Sequence, residues 1–190
     1  MLALRHQAEA ERRCALTMQR LMVAGYHLLH DRLLPGTTAQ TDHILIGPTG
    51  VHLITDLRPQ ATTLHLAGER LWDGPVPLTV TFERLWWEVD QLIGALERTL
   101  LEGWFVPVAP ILAIHRATLP AGLSSVADTV VVPYAAVPGF ITQAAPALSL
   151  TEVAYLAGLI EQLCPAAGDY LDLPAWWKTL AGLGQGQDRP

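Results

Sequence analysis

The sequence predicts an α/β domain, with a mixed central β-sheet and helices on its flanks. Three observations support this prediction. Apolar runs of strand length alternate with longer stretches of helical periodicity, two β-branched runs meet at a Gly-Pro-Thr-Gly turn, and glycine, proline or serine marks the ends of elements. The order helix, strands, helix, strand, strand, helix is typical of helices layered on one sheet.

The N-terminal part of the chain begins with an amphipathic segment. Residues 7–24 place apolar side chains at roughly helical spacing, with the charged side chains largely off that stripe. Gly25 ends the predicted helix. Residues 26–31 follow as a short predicted strand, and the Pro-Gly pair after them favours a loop.

The next two strands are predicted to form an antiparallel hairpin. Residues 44–46 and 51–54 are rich in β-branched side chains. The sequence "GPTG" between them suits a tight turn, because proline fixes one φ angle and glycine allows conformations that other residues rarely adopt. Both strands are apolar, which indicates a sheet covered on its two faces. Residues 62–72 are predicted to form a second hairpin around Ala-Gly-Glu.

The C-terminal half combines helices with short buried strands. Leucine and valine residues recur at helical spacing over residues 82–103, where Gly103 ends the predicted helix. Ser149 begins another helix, because Glu152 three residues later completes a capping box, and Pro165 closes that helix. The remaining predicted elements are strands at residues 111–114 and 129–134 and a terminal helix within residues 174–183.

Length and charge limit the classes of protein that the chain can represent. Its 190 residues fit a single domain, predicted over residues 1–183, with a flexible tail at residues 184–190. The net charge of -6 argues against non-specific electrostatic binding of nucleic acid by a basic surface, although arginines concentrate early in the chain. A local basic patch therefore stays compatible with the sequence.

The sequence also predicts a cytoplasmic protein without a membrane segment. Its longest apolar candidate, residues 105–114, holds two prolines and is shorter than the roughly 18 residues that a span needs. The N-terminus is charged too early for a secretory signal. The two cysteines, Cys14 and Cys164, form neither a cysteine motif for metal binding nor a disulfide framework.

Four stretches, taken in order, resemble one known family. They are "AEAERR" in the first helix, the strand and loop "GYHLLHDRLLPG", the hairpin "TDHILIGPTGVHLI" and the short hairpin "LAGERLW". Over roughly residues 8–118 they resemble the nuclease-related domain, NERD, of the PD-(D/E)XK nuclease superfamily. The resemblance implies a restriction-endonuclease-like core.

The resemblance also implies a Mg²⁺-dependent centre that cleaves DNA. Carboxylates converge on Mg²⁺, which prefers oxygen ligands and activates water at the scissile phosphate. An acid and a lysine two residues apart share one face of a strand, where the lysine stabilises developing charge. Glu11 matches the family's helix glutamate, and Asp42 matches its strand aspartate.

The second strand of the hairpin departs from the family's pattern. Thr55 stands at the acid position and Leu57 at the lysine position, and neither side chain carries a charge. Asp56 and Arg58 form an acid-x-base pair that is shifted by one residue. Because side chains alternate along a strand, this shift turns the pair to the opposite face.

A β-bulge near Ile54 would return the shifted pair to the face of Asp42. Glu11, Asp42 and Asp56 would then be the metal ligands, and Arg58 would replace the lysine as the cation, although the two cations are not equivalent. Asp42 has alternative roles in capping the preceding loop or pairing with an arginine.

Histidines and tryptophans give weaker signals. Six of the seven histidines lie before residue 66 without a recognised ligand spacing, so core or surface roles are predicted rather than a transition-metal site. The pairs Trp86-Trp87 and Trp176-Trp177 could stack bases, but adjacent helical residues point about 100° apart, which favours one core ring in each pair.

Two main hypotheses about function follow. The leading one is a catalytically degenerate nuclease-related domain, without a cofactor, that acts in DNA-linked binding or assembly. The alternative is a divergent Mg²⁺-dependent DNA nuclease that uses Glu11, Asp42, Asp56 and Arg58. A third, weaker hypothesis is an interaction module that docks a protein partner or a second copy of the chain.

Overall fold

A six-stranded mixed sheet forms the centre of the computed structural model, which describes residues 13–14 and 16–167. The strands are β1 (His27–Leu33), β2 (Gln40–Gly47), β3 (Gly50–Leu57), β4 (Leu64–Ala67), β5 (Arg70–Asp73), β6 (Val76–Pro77), β7 (Val108–Ile114), β8 (Ser125–Val126) and β9 (Thr129–Pro133). The helices are α1 (Thr79–Thr99), α2 (Val137–Gln143) and α3 (Leu150–Leu163), with 3₁₀ turns at Gln19–Ala24 and Tyr134–Ala136.

The strand order of the central sheet is β1-β2-β3-β7-β9-β8. The first three strands pair antiparallel, whereas β3 runs parallel to β7 and β7 runs parallel to β9. The crossover from β3 to β7 contains α1 and a separate three-stranded sheet of order β4-β5-β6. This architecture confirms the predicted α/β class, with a mixed sheet and flanking helices, and is consistent with a restriction-endonuclease-like core.

The central sheet is buried on both faces, as the apolar hairpin predicts. We call the face toward α1 and α3 the helix face; there Ile44 and Leu53 pack with Val89 and Leu156. We call the opposite face the N-terminal face, because the N-terminal helical residues and α2 cover it. Its buried core comprises Cys14, Met18, Leu21, Tyr26, Leu45, Ile54, Ile111, Ala113, Val132, Val137 and Ile141.

The N-terminal helical segment differs in part from the prediction. Its described residues 13–14 and 16–18 are α-helical, but the last turn tightens into the 3₁₀ helix Gln19–Ala24. Gly25 ends the segment with a φ of 84°, a left-handed conformation in which its N–H reaches the carbonyls of the preceding turn. The rest of the predicted helix lies outside the described residues.

The long helix ends earlier than its apolar periodicity predicts. Helix α1 spans Thr79–Thr99, and Leu100 adopts an extended conformation after its N–H bonds to the Leu96 carbonyl. Gly103 lies in the turn that follows, with a φ of 86°. The next helix, α3, begins as predicted, because Ser149 and Glu152 form the reciprocal bonds of a capping box.

Several elements carry no clear signal in the sequence. Strands β6 and β8 have two residues each, and the short helix α2 follows a 3₁₀ turn and has proline in its first turn. The predicted helix within residues 174–183 lies outside the described part of the chain. Within the described residues, no helix is both long enough and apolar enough to cross a membrane.

Candidate functional site

The β2–β3 hairpin determines which predicted site residues share a face. His43 pairs with Ile54 and Ile44 pairs with Leu53, and this register continues to the turn at Gly47 and Gly50. Cross-strand partners point to the same side of a sheet. Extending the register by one residue therefore pairs Asp42 with Thr55 on the helix face.

Strand β3 contains no bulge that would change this assignment. Its parallel register with β7 runs without interruption from Val51, opposite Val108, to Leu57, opposite Ile114. Side chains at Ile54 and Asp56 therefore lie on the N-terminal face, and Thr55 lies on the helix face. The bulge that would turn Asp56 toward the face of Asp42 is absent from these strand pairings.

Asp42 bonds to the backbone of the neighbouring strand. Its Oδ2 accepts the N–H of Asp56 at 2.9 Å, beyond the His43–Ile54 pair where the backbone register ends. The carboxylate thus takes the place of a strand carbonyl at the open end of the hairpin. Burial raises the pKa of Asp42, while the Asp56 N–H and the charge of His43 act in the opposite direction.

Asp56 lies in a buried cluster of histidines on the N-terminal face. Its Oδ2 pairs with His43 Nε2 at 2.8 Å, and its Oδ1 pairs with His115 Nε2 at 2.8 Å. The side chain is only 4% exposed. Burial by itself raises the pKa of Asp56, but the hydrogen bonds from His115 and His43 outweigh it and lower the pKa to about 2.

His43 links this carboxylate to a second imidazole. Its Nδ1 lies 2.7 Å from Nδ1 of His30, and the rings meet edge to face. Burial by itself lowers the pKa of His43, but its hydrogen bond to Asp56 and the nearby acidic charges outweigh burial and raise it. Burial and the His43 charge lower the pKa of His30 to about 3. A protonated His43 therefore donates both ring N–H groups, to Asp56 and to neutral His30.

Two further groups complete the cluster. The His115 ring stacks on Tyr134, with centroids 4.4 Å apart. Cys14 is fully buried and hydrogen-bonds to Asp56, and burial raises the pKa of its thiol. Ligand atoms of Cys14, His43 and Asp56 all lie within 4.8 Å of one another, close enough to surround one metal ion. This group does not include Asp42.

Among the described residues, neither Leu57 nor Arg58 hydrogen-bonds to the Asp56 side chain. Leu57 is half-buried and packs against an apolar cluster that includes Leu112 and Ile114. Arg58 follows the end of β3, and its Nη1 is buried without a hydrogen-bond partner. Glu11 lies outside the described residues.

Glu88 is a functional candidate that the sequence reasoning missed. It lies on the buried side of α1 with 1% of its side chain exposed, and its Oε1 accepts a 2.7 Å bond from Arg84 Nε. The Oε2 atom of Glu88 is buried without a hydrogen-bond partner. Burial raises the pKa of Glu88, and the negative charge of Asp42 raises it further. One signal was present: Glu88 follows Leu85 by three residues and precedes Leu92 by four, so it falls on the apolar stripe.

His115 and Cys14 were missed for a different reason. His115 follows β7, and the parallel pairing of β7 with β3 brings it to Asp56. Cys14 reaches the same place from the N-terminal helical segment. No short-range spacing links these residues to Asp56, so the sequence carries no motif for the cluster.

The comparison with known families selects one of them. Residues 6–55 match the family model of the nuclease-related domain, NERD. Over these residues the chain is similar to the nuclease-related domain. The match covers β1, β2 and most of β3, including Asp42, and it ends at Thr55. No curated protein and no solved structure matches the chain.

Proposed function

We propose that this nuclease-related domain is catalytically degenerate and acts in DNA-linked binding or assembly rather than in DNA cleavage. The observation that carries the proposal is the strand register, which ends at the pair His43–Ile54 and, extended by one residue, places Thr55 rather than an acid opposite Asp42 on the helix face. A threonine hydroxyl is neutral, so it contributes no charge toward a divalent cation.

The lysine position supports the same proposal. A cation near the scissile phosphate stabilises the charge that develops during cleavage. Leu57 occupies this position and packs with apolar side chains of the neighbouring strand β7. Both charged members of the strand motif are therefore replaced by uncharged residues.

The shifted acid does not restore the family's metal site. A shared Mg²⁺ ion needs carboxylate oxygens that converge from Asp42 and Asp56. The Asp56 carboxylate instead bonds to His43 and His115 on the opposite face, and one Asp42 oxygen accepts a backbone N–H. Asp42 and Asp56, the two described members of the expected set, therefore do not fit a common Mg²⁺ ion, and no cleavage step follows from them.

DNA is the proposed partner because the matched family is defined by its relation to nucleases. The net charge of -6 excludes a uniformly basic surface, so binding would use a local patch. Among the described residues, Arg20 is exposed next to the sheet's N-terminal face and is one candidate contributor. Such contacts make binding weaker as salt concentration rises.

A divergent Mg²⁺-dependent DNA nuclease is the second candidate, and Glu88 favours it. An acid supplied by helix α1, instead of strand β3, would give Asp42 a carboxylate partner on the helix face. The unpartnered, buried Oε2 of Glu88 is an acceptor free to bind a cation, and Arg84 beside it is a positive group. The charge of Asp42 raises the pKa of Glu88, which supports their proximity.

A plasmid-nicking assay with Mg²⁺ or Mn²⁺, combined with DNA-binding anisotropy, tests the two candidates. The leading proposal predicts no nicking by the wild-type protein and salt-sensitive binding of labelled DNA that D42N leaves unchanged. The second candidate predicts wild-type nicking that is lost in both D42N and E88Q but retained in D90N, a control at an exposed position of α1. Absence of DNA binding at low salt would contradict the DNA-linked role and would favour a protein partner.

A further inference from the structure

The buried cluster on the N-terminal face contains a set of donors suited to a transition metal. Cys14, His43 and Asp56 come from the N-terminal helical segment, β2 and β3, and their ligand atoms lie within 4.8 Å of one another. Thiolate, imidazole and carboxylate are the three ligand types that bind zinc in proteins. We propose that Cys14, His43 and Asp56 form a zinc site.

The separation of the donors is close to what zinc requires. Tetrahedral zinc bonds to nitrogen and oxygen at about 2.0 Å and to sulfur at about 2.3 Å, which separates neighbouring ligand atoms by about 3.3 to 3.7 Å. His43 Nε2 and Asp56 Oδ2, now 2.8 Å apart, would open by about 0.5 Å to admit the ion. Zinc would displace the thiol proton of Cys14 and the Nε2 proton of His43 to solvent.

Neighbouring side chains hold two of the ligands in the required orientation. Ligating imidazoles in metal sites bond through their second ring nitrogen, and ligating carboxylates bond through their other oxygen. His43 Nδ1 lies 2.7 Å from His30 Nδ1, and Asp56 Oδ1 lies 2.8 Å from His115 Nε2. His115 is itself fixed by stacking on Tyr134.

The position of the site indicates a structural role. Cys14 comes from the N-terminal helical segment, whereas His43 and Asp56 come from the β2–β3 hairpin, and all three side chains are buried. An ion bound there would hold the N-terminal helical segment against the hairpin. Three protein ligands leave one coordination position for water or a small ligand. The site lies on the opposite face of the sheet from Asp42 and Thr55, so it does not depend on the proposed function.

Cobalt substitution and zinc titration of the full chain test the proposal. Wild-type protein should bind one zinc ion per chain, and its Co²⁺ form should show thiolate-to-cobalt charge-transfer absorption. C14S should abolish that absorption and weaken zinc binding, while C164S, which changes the other buried cysteine, should retain both. H30Q should weaken zinc affinity by about 10- to 100-fold, as loss of an orienting partner does. H27Q, at an exposed position of the same strand, should leave it unchanged.

Three results would overturn the zinc site. They are a wild-type chain that binds no zinc, a cobalt spectrum without thiolate absorption, and an absorption that survives C14S. The first two need only the wild-type protein, so they decide the question even if C14S fails to fold. In those cases the cluster is a hydrogen-bonded His-Asp-His network without a metal.

Discussion

Replacing Asp56 with asparagine tests the charge assignment of the buried cluster. The substitution keeps the side chain's shape but removes the negative charge that accepts bonds from His43 and His115. The difference between the ordinary carboxyl pKa of 3.8 and the folded value of about 2 corresponds to about 2.5 kcal/mol of stability at neutral pH. Breaking one side of a buried ion pair costs about 3–5 kcal/mol in other proteins. We therefore expect D56N to lower the free energy of unfolding by about 3 kcal/mol.

Urea denaturation in chelator-containing buffer, followed by tryptophan fluorescence and far-UV circular dichroism, measures this loss. The folded pKa of Asp56 lies below its unfolded value, so its stabilisation is present above about pH 4 and is lost as pH falls toward 2. The difference between wild type and D56N should shrink over that interval. D90N, at an exposed position of α1, should stay within about 0.5 kcal/mol of wild type. A D56N variant as stable as wild type at pH 7 would refute the charged His43–Asp56 pair.

Two further predictions concern the hairpin and its neighbours. Burial lowers the pKa of His52 to about 4, so wild-type protein should lose up to about 3 kcal/mol of stability through this group as pH falls from 6.5 to 4. Urea titrations across that range should show a smaller loss in H52Q and an unchanged loss in the exposed-site control H27Q. A Cβ on Gly47 would meet the Tyr26 ring at 1.9 Å, so G47A should lower the unfolding free energy by about 1–3 kcal/mol. G94A should raise it by up to about 1 kcal/mol, because α1 gains a better helix former and the added atom meets only the flexible end of an arginine.

Equal pH profiles for wild type and H52Q would contradict the neutral, buried state of His52. A G47A variant with unchanged stability would show that Tyr26 repacks without cost. Both outcomes can be read from the same denaturation experiments.

Local signals predicted the parts of the fold that local interactions determine. The capping box at Ser149 and the left-handed glycine at Gly25 marked helix ends correctly, because each feature satisfies backbone groups within a few residues. The turn between β2 and β3 was likewise read from four residues. By contrast, α1 stops before Gly103 although its leucine periodicity continues to Leu100, and both Leu100 and Trp104 of the following loop pack against the core.

The candidate site could be predicted only where it follows from strand alternation. The sequence correctly placed Thr55, and not Asp56, on the face of Asp42, because side chains alternate along a strand without a bulge. It gave no indication that His115 and Cys14 meet Asp56, since that contact depends on a parallel crossover and on helix packing. Histidines that looked scattered in sequence are thus brought together by the fold.

The most direct test of the degenerate catalytic motif is plasmid nicking by the double variant T55E/L57K beside the wild-type protein. We expect no Mg²⁺- or Mn²⁺-dependent nicking by wild type, nicking by T55E/L57K, and loss of that nicking when D42N is added, because Asp42 and residue 55 share a face. Nicking by the wild-type protein that D42N abolishes would contradict the degenerate motif.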